Sequence, residues 1–156
     1  MKCVGLDIMA LAVPFVERFR HSIRERAASD AVVVRVTFDD GTIGYGEGLP
    51  RPYVTGESVD DMVAHVADVL WPAIQTINWS AIDGIAQIAT QLPADEPHDR
   101  VRAFNAARCA VELALVDAWC RGRGEGIADH LPPACTEVRY SAIITGGDAE
   151  LALPTA

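Results

Sequence analysis

The hydrophobic pattern along the chain changes period twice. Between Cys3 and Val13 apolar residues follow strand spacing, with a slip near Ile8-Met9 that predicts a break or bulge there, and Pro14 ends the run. From Val32 to Phe38 the alternation is strict: Val32, Val34, Val36 and Phe38 against Val33, Arg35 and Thr37. Asp40-Gly41 then predicts a two-residue hairpin turn, and Thr42 to Gly48 returns as its partner strand. Together these make a three-stranded antiparallel meander. The segment between the first two strands, "FVERFRHSIRERAASD" from Phe15 to Asp30, has poor helical periodicity and reads as a mobile loop.

After Tyr53 the period becomes helical. Ser58 followed by Asp60 and Asp61 is a helix start, with a hydroxyl cap and acids in the first turn. Met62, Val66, Val69 and Leu70 recur at helical spacing until Pro72. A second helix runs from Ser80 to Gln91, on an apolar stripe of Ile82, Ile85, Ala86 and Ile88-Ala89. A third, from about Arg102 to Arg123, is apolar nearly all round and predicts burial on most faces, with Glu112 and Asp117 embedded in it. Those two carboxylates read either as catalytic or metal-binding groups or, more simply, as partners of a backbone amide or an arginine. "VRYSAIIT", Val138 to Thr145, reads as a final strand, and the last residues open another helix.

Composition narrows the function. Half of the 156 residues are hydrophobic, enough for a sizeable core. A formal net charge of −9 offers no basic footprint for nucleic acid or an anionic membrane. No apolar stretch is long enough to span a bilayer, and the N-terminus lacks a signal-peptide pattern, so the expected location is cytoplasmic. Cys3, Cys109, Cys120 and Cys135 form no C-x-x-C pair and read as buried, reduced thiols.

The glycine-rich stretch "GYGEGLPRPYVTGES", Gly44 to Ser58, invites a phosphate-loop reading that its spacing rejects. Leu49 and Arg51 stand where a dinucleotide fingerprint needs its third glycine, and Lys2 is the only lysine. Glu47, between two glycines at a strand end, reads as a general base or, more simply, as an acceptor bracing the turn, with Gly46 and Gly48 letting the backbone bend. His65 reads as part of a solvated helix face near Asp61 and Asp68.

Four segments in order carry a resemblance: "VPF", "VVVRVTFDDGTIGYGEGLPRPYVTGES", "AARCAVELALVDAW" and "VRYSAIITGG". Together they resemble the N-terminal capping domain of the enolase superfamily, in its mandelate racemase and muconate-lactonizing enzyme branch. The resemblance implies an α+β fold: a three-stranded antiparallel meander followed by a three-helix bundle over residues 1–130. Residues 131–156 would then be a linker and the first strand of an incomplete TIM barrel. It further implies that catalysis belongs to later barrel strands, where a K-x-K pair and three Mg²⁺-binding acids abstract a proton next to a carboxylate. No K-x-K occurs here, so this chain is expected to hold no cofactor and to be non-catalytic by itself, with Mg²⁺ expected in the full-length parent. The cap's part, by resemblance, is to close two loops over the substrate: Arg18, Phe19, Arg20, His21 and Arg24 in the first, Arg51, Tyr53 and Val54 in the second. The expected partners are the missing barrel, a small carboxylate substrate and, since an uncovered cap exposes apolar surface, further copies of the chain. The alternative is a free-standing α+β interaction module that self-associates.

Overall fold

The structure, a computed structural model, describes residues 1–20, 25–94, 101, 103–131 and 134–140. Strands β1 (Cys3–Leu11), β4 (Ala31–Phe38) and β5 (Ile43–Gly48) form the expected antiparallel sheet in the order β1-β4-β5. The irregularity in β1 lies between Cys3 and Gly5, not at Ile8-Met9. The turn into β5 is also longer than a two-residue one: Phe38 N–H donates to Thr42 O and Gly41 N–H to Phe38 O, with Gly41 at φ +85°. That geometry is a three-residue connection with its glycine in the left-handed region.

Between β1 and β4 the chain makes a second sheet rather than a loop. Strands β2 (Pro14–Arg20) and β3 (Glu25–Ala28) pair antiparallel, with Phe19 opposite Arg26 and Arg20 opposite Glu25. None of the described side chains of this ribbon is buried, and Val16 is fully exposed. The alternation that marks a half-buried strand is therefore missing from its sequence. Arg26 ties its base, pairing with Asp30 at 2.9 Å and lying over the Phe15 ring.

The helices cover one face of the sheet. Helix α1 (Val59–His65) starts at Ser58 as expected, with Ser58 and Asp61 forming a reciprocal capping box. Pro72 does not end it. The chain passes through one π-helical turn (Val66–Leu70), with Trp71 N–H bonding Val66 O, and continues as α2 (Trp71–Thr76). Pro72 has no N–H to give and would crowd the carbonyl four residues back, and the wider turn accommodates it. The expected helix from Ser80 is instead a short 3-10 turn (Trp79–Ala81) followed by α3 (Ile85–Gln91). The Arg108 guanidinium holds the end of α3, donating to the carbonyls of Ala89 and Pro93 at 2.7 Å each.

Helix α4 (Asn105–Arg123) runs beneath β5, and α5 (Ile127–His130) follows it. The core between sheet and helices is built from Val32, Val34, Val36 and Phe38 against Met62, Val66, Leu70, Ile74, Trp79, Leu115 and Trp119. Trp79 meets Phe38 edge-on at 5.5 Å. His65 is buried here and stacks on Phe104 at 3.8 Å, so it is no part of a solvated face. Residues 138–140 carry no strand, and the rest of the expected final strand lies outside the described residues.

The contact of α4 with β5 explains the glycines. A Cβ on Gly44, Gly46 or Gly48 would stand 2.2, 2.0 and 2.2 Å from the carbonyl oxygens of Ala114, Ala110 and Ala106. Here glycine serves close approach of backbone to backbone, not a bend. Four alanines at i, i+4 spacing (106, 110, 114, 118) supply the matching smooth stripe on the helix. One turn further on, Gly122 faces Thr42.

The cysteines divide into two pairs. Cys3 and Cys120 are buried; Cys109 and Cys135 are exposed, against the expectation that all four are buried. Burial pushes the Cys3 thiol up to about 11, against weaker opposing hydrogen bonds from the Gly5 and Thr37 backbone. At pH 7.5 a thiol reagent such as a nitrobenzoate disulfide is expected to titrate Cys109 and Cys135 in the native protein, and Cys3 and Cys120 only after denaturation. Prompt release of four equivalents would mean that both β1, which holds Cys3, and the end of α4, which holds Cys120, open readily.

Candidate functional site

The sheet register places both expected loops. Leu11 at the end of β1 lies opposite Ala31 at the start of β4, and Val32 opposite Gly48 at the end of β5. The β2–β3 ribbon and the segment after Gly48 therefore leave the sheet from the same end. On the ribbon, Arg18 is an exposed residue of β2, and the backbones of Phe19 and Arg20 continue that strand. His21 and Arg24 lie outside the described residues, as do the side chains of Phe19 and Arg20.

The second segment is a compact turn. The N–H groups of Val54 and Thr55 both donate to Arg51 O, at 2.9 and 3.0 Å, and Gly56 closes the turn at φ +84°. Arg51 folds its guanidinium onto the Pro50 carbonyl, whereas Tyr53 and Val54 stand out at 39% and 60% exposure. An open groove of about 530 Å³ runs from Arg51 and Val54 past Leu49 to Cys109 and Leu113 on α4.

A buried carboxylate fixes this end of the molecule. Glu57 is fully buried, and its two oxygens accept from the N–H groups of Ala106 and Ala107 at 3.0 Å each. Phe104, at the N-cap position of α4, supplies no side-chain cap. Glu57 thus caps a helix that begins about fifty residues later in the chain, and it pins the base of the 51–56 turn. No local signal marks this role, since the capping pattern joins residues far apart in sequence. Asp117 does what the simpler sequence reading expects: it accepts from Tyr45 N–H at 2.9 Å and from Arg121 at 2.7 Å.

Glu47 does not brace the turn through any hydrogen bond among the described residues. It is exposed on β5, and its neighbours Gly46 and Gly48 face α4 rather than bending the chain. Among the described residues no group of three or more His, Cys, Asp or Glu side chains is placed to hold a metal ion. Glu57 and Asp117 are already committed to backbone amides, so the donor set does not fit Mg²⁺. No helix among the described residues is long and apolar enough to cross a membrane.

Comparison with known proteins agrees with this architecture. Over 121 residues the chain is 29% identical to the L-Ala-D/L-Glu epimerase of Bacillus subtilis, covering 78% of this chain and 31% of that one. Over 126 residues it is 30% identical to muconate cycloisomerase 1 of Rhodococcus opacus, covering 80% and 32%. The chain thus spans only about a third of the length of the curated relatives it matches. The substrate-liganded structure of the Bacillus subtilis epimerase superposes with a TM-score of 0.62 over 79% of this chain and 32% of its own, at 29% identity. The fold is also that of the dipeptide epimerase from Enterococcus faecalis complexed with Mg and L-Leu-L-Tyr, with a TM-score of 0.64, 22% identity, and coverage of 79% and 31%. Residues 6–131 match the family model of the mandelate racemase / muconate lactonizing enzyme N-terminal domain. The chain therefore belongs to the mandelate racemase and muconate lactonizing enzyme family, whose N-terminal domain it forms.

Proposed function

We propose that this domain is the lid of a Mg²⁺-dependent enzyme that removes the proton next to a carboxylate, and that its substrate is a dipeptide. The observation that carries the reading is the shared exit of the β2–β3 ribbon and the 49–56 segment from one end of the sheet. Two loops rooted side by side on a rigid support can close together over one ligand. The ribbon would offer Arg18, Phe19, Arg20, His21 and Arg24 to the distal end of the substrate, and the turn would offer Arg51, Tyr53 and Val54.

The substrate class follows the relatives: L-Ala-D/L-Glu in the Bacillus subtilis epimerase and L-Leu-L-Tyr in the Enterococcus faecalis structure. The described residues do not fit the metal, so Mg²⁺ and the proton-transfer groups belong to the barrel in this reading. What the cap supplies is exclusion of water and selection of the substrate's far end.

The test uses the protein expressed from its natural reading frame, with MgCl2 in D2O, followed by NMR at the α-carbons of L-Ala-L-Glu and L-Leu-L-Tyr. Exchange of the α-proton is expected on at least one dipeptide. Arg51→Ala and Tyr53→Ala are expected to lower kcat/KM by about ten- to a hundredfold without moving the urea midpoint. Turnover of cis,cis-muconate with neither dipeptide touched would overturn the substrate class. Absence of Mg²⁺-dependent turnover on every carboxylate would overturn the whole reading.

A further inference from the structure

The β2–β3 ribbon contains a break in its pairing. Pro14 lies opposite Ala28 and Phe19 opposite Arg26, so the four β2 residues 15–18 face the single Ala27 of β3. A regular antiparallel pair sets one residue against one. Extra residues on one strand interrupt the hydrogen-bonded ladder and let that strand bend. On the sheet side of the break the ribbon is closed by Ser29 N–H, which donates to Val13 O at 2.8 Å. On the far side two rungs are formed, Phe19 with Arg26 and Arg20 with Glu25. A two-stranded ribbon with no buried side chain among those described is weakly held by itself.

One side chain spans the break. Arg26 stands on β3 in a rung beyond it, and its guanidinium reaches back toward the sheet. Its Nη2 donates at 2.9 Å to Asp30, the residue before β4 begins. Its guanidinium carbon lies over the Phe15 ring, 5.6 Å from the ring centre, within the unpaired part of β2. The Arg26 side chain is only 15% exposed, against 54% for Asp30. A surface ion pair between residues four apart is ordinarily weak. Here the guanidinium also lies against an aromatic face, and that contact strengthens as water is excluded from it. The sheet end, the break and the rung beyond it therefore meet at one residue.

We propose that Arg26 is a positioning residue of the lid: it clamps the ribbon across the break in β2 and sets the stance of the rungs beyond before substrate arrives. The proposal rests on the lid reading above and adds to it the residue that holds one of the two lid loops in place. Arg26 is committed to Asp30 and Phe15, so it acts through the ribbon and not on the substrate. A loop already held in its working stance pays less ordering entropy on binding. Losing the clamp therefore acts on KM. The proton-transfer step, whose groups lie elsewhere in this reading, keeps its rate.

The test uses the protein expressed from its natural reading frame, with MgCl2 in D2O and with L-Ala-L-Glu and L-Leu-L-Tyr as substrates. Arg26→Ala is expected to raise KM by about five- to twentyfold, with kcat within about twofold and the urea midpoint unmoved. Arg26→Lys keeps a charge for Asp30 but not a flat face for Phe15, so it should recover part of the loss. Limited trypsin digestion reads the clamp without any turnover. Cleavage after Arg18 and Arg20 is expected to run about fivefold or more faster in Arg26→Ala than in the parent. Equal cleavage in the two proteins would overturn the proposal. Faster cleavage with an unchanged KM would also overturn it, keeping the lid and leaving Arg26 a local tie. Faster cleavage in a protein with no Mg²⁺-dependent turnover of either dipeptide would keep the clamp across the break and sink the lid reading.

Discussion

Gly46→Ala is expected to destabilise the domain by about 3 kcal/mol or more, a larger loss than overpacking usually causes. The added methyl would stand 2.0 Å from Ala110 O and 2.6 Å from Ala114 N. Both are backbone atoms of α4, so no side-chain rotation relieves the contact. The helix must retreat from the strand, and α4 also carries Val111, Leu115 and Trp119 into the core. Against a typical net stability of about 5–15 kcal/mol, such a loss leaves a marginal protein. Gly122→Ala is the matched control. Its methyl would meet Thr42 at 3.6–3.7 Å, an ordinary contact, in a helix where alanine is favoured. It is expected to be neutral or stabilising by up to about 0.5 kcal/mol. Urea unfolding followed by tryptophan fluorescence decides both. Equal midpoints for Gly46→Ala and the parent would show that α4 does not lie on β5 as described.

Glu57→Ala is expected to cost about 3 kcal/mol as well, by a different route. It removes a fully buried carboxylate that two backbone amides share, Ala106 N–H and Ala107 N–H. Those amides lie at the positive end of the α4 dipole, where charge-assisted hydrogen bonds are strong. With the acceptor gone, the donors stay buried without a protein partner and a void opens beside them. Glu57→Gln keeps the shape and one oxygen but turns an NH2 group toward a donor, so it should recover part of the loss and no more. Hydrogen exchange separates this from a general loss of stability: the Ala106 and Ala107 amides should exchange faster than those at the middle of α4. If Glu57→Ala unfolds at the parent's urea concentration, the capping role is wrong.

These two sites show where the sequence could be read and where it could not. The alternation of Val32, Val34, Val36 and Phe38 announces its own strand, because one face is core and the other is solvent. Ser58 announces its own helix, because its capping partner Asp61 is three residues away. Glu57 announces nothing, because its partner helix begins far along the chain. The β2–β3 ribbon looked like a loop because its strands pair only with each other and bury no regular face. The glycines of β5 and the alanines of α4 are both visible as patterns, but each acquires meaning only from the other. Read alone, "GYGEG" suggests bending. Beside an A-x-x-x-A stripe it becomes a bed for a helix. Of the candidate lid residues, Arg51, Tyr53 and Val54 share one turn.

The bed has a built-in length limit. Alternate residues on a strand repeat every ~6.8 Å, whereas every fourth residue on a helix repeats every ~6.0 Å. The two rulers slip by ~0.8 Å per step, so a glycine ladder and an alanine ladder stay in phase for only a few rungs. Three rungs are used here, at Gly48, Gly46 and Gly44. At the next, Thr42 keeps its side chain and the helix gives way instead, with Gly122 in the facing position. Inserting a single residue into β5 would turn Tyr45 or Glu47 inward against a helix backbone that has no room for either. Length variation among proteins built this way should therefore collect in the β2–β3 ribbon and the 49–56 segment, leaving the strand and helix between them fixed.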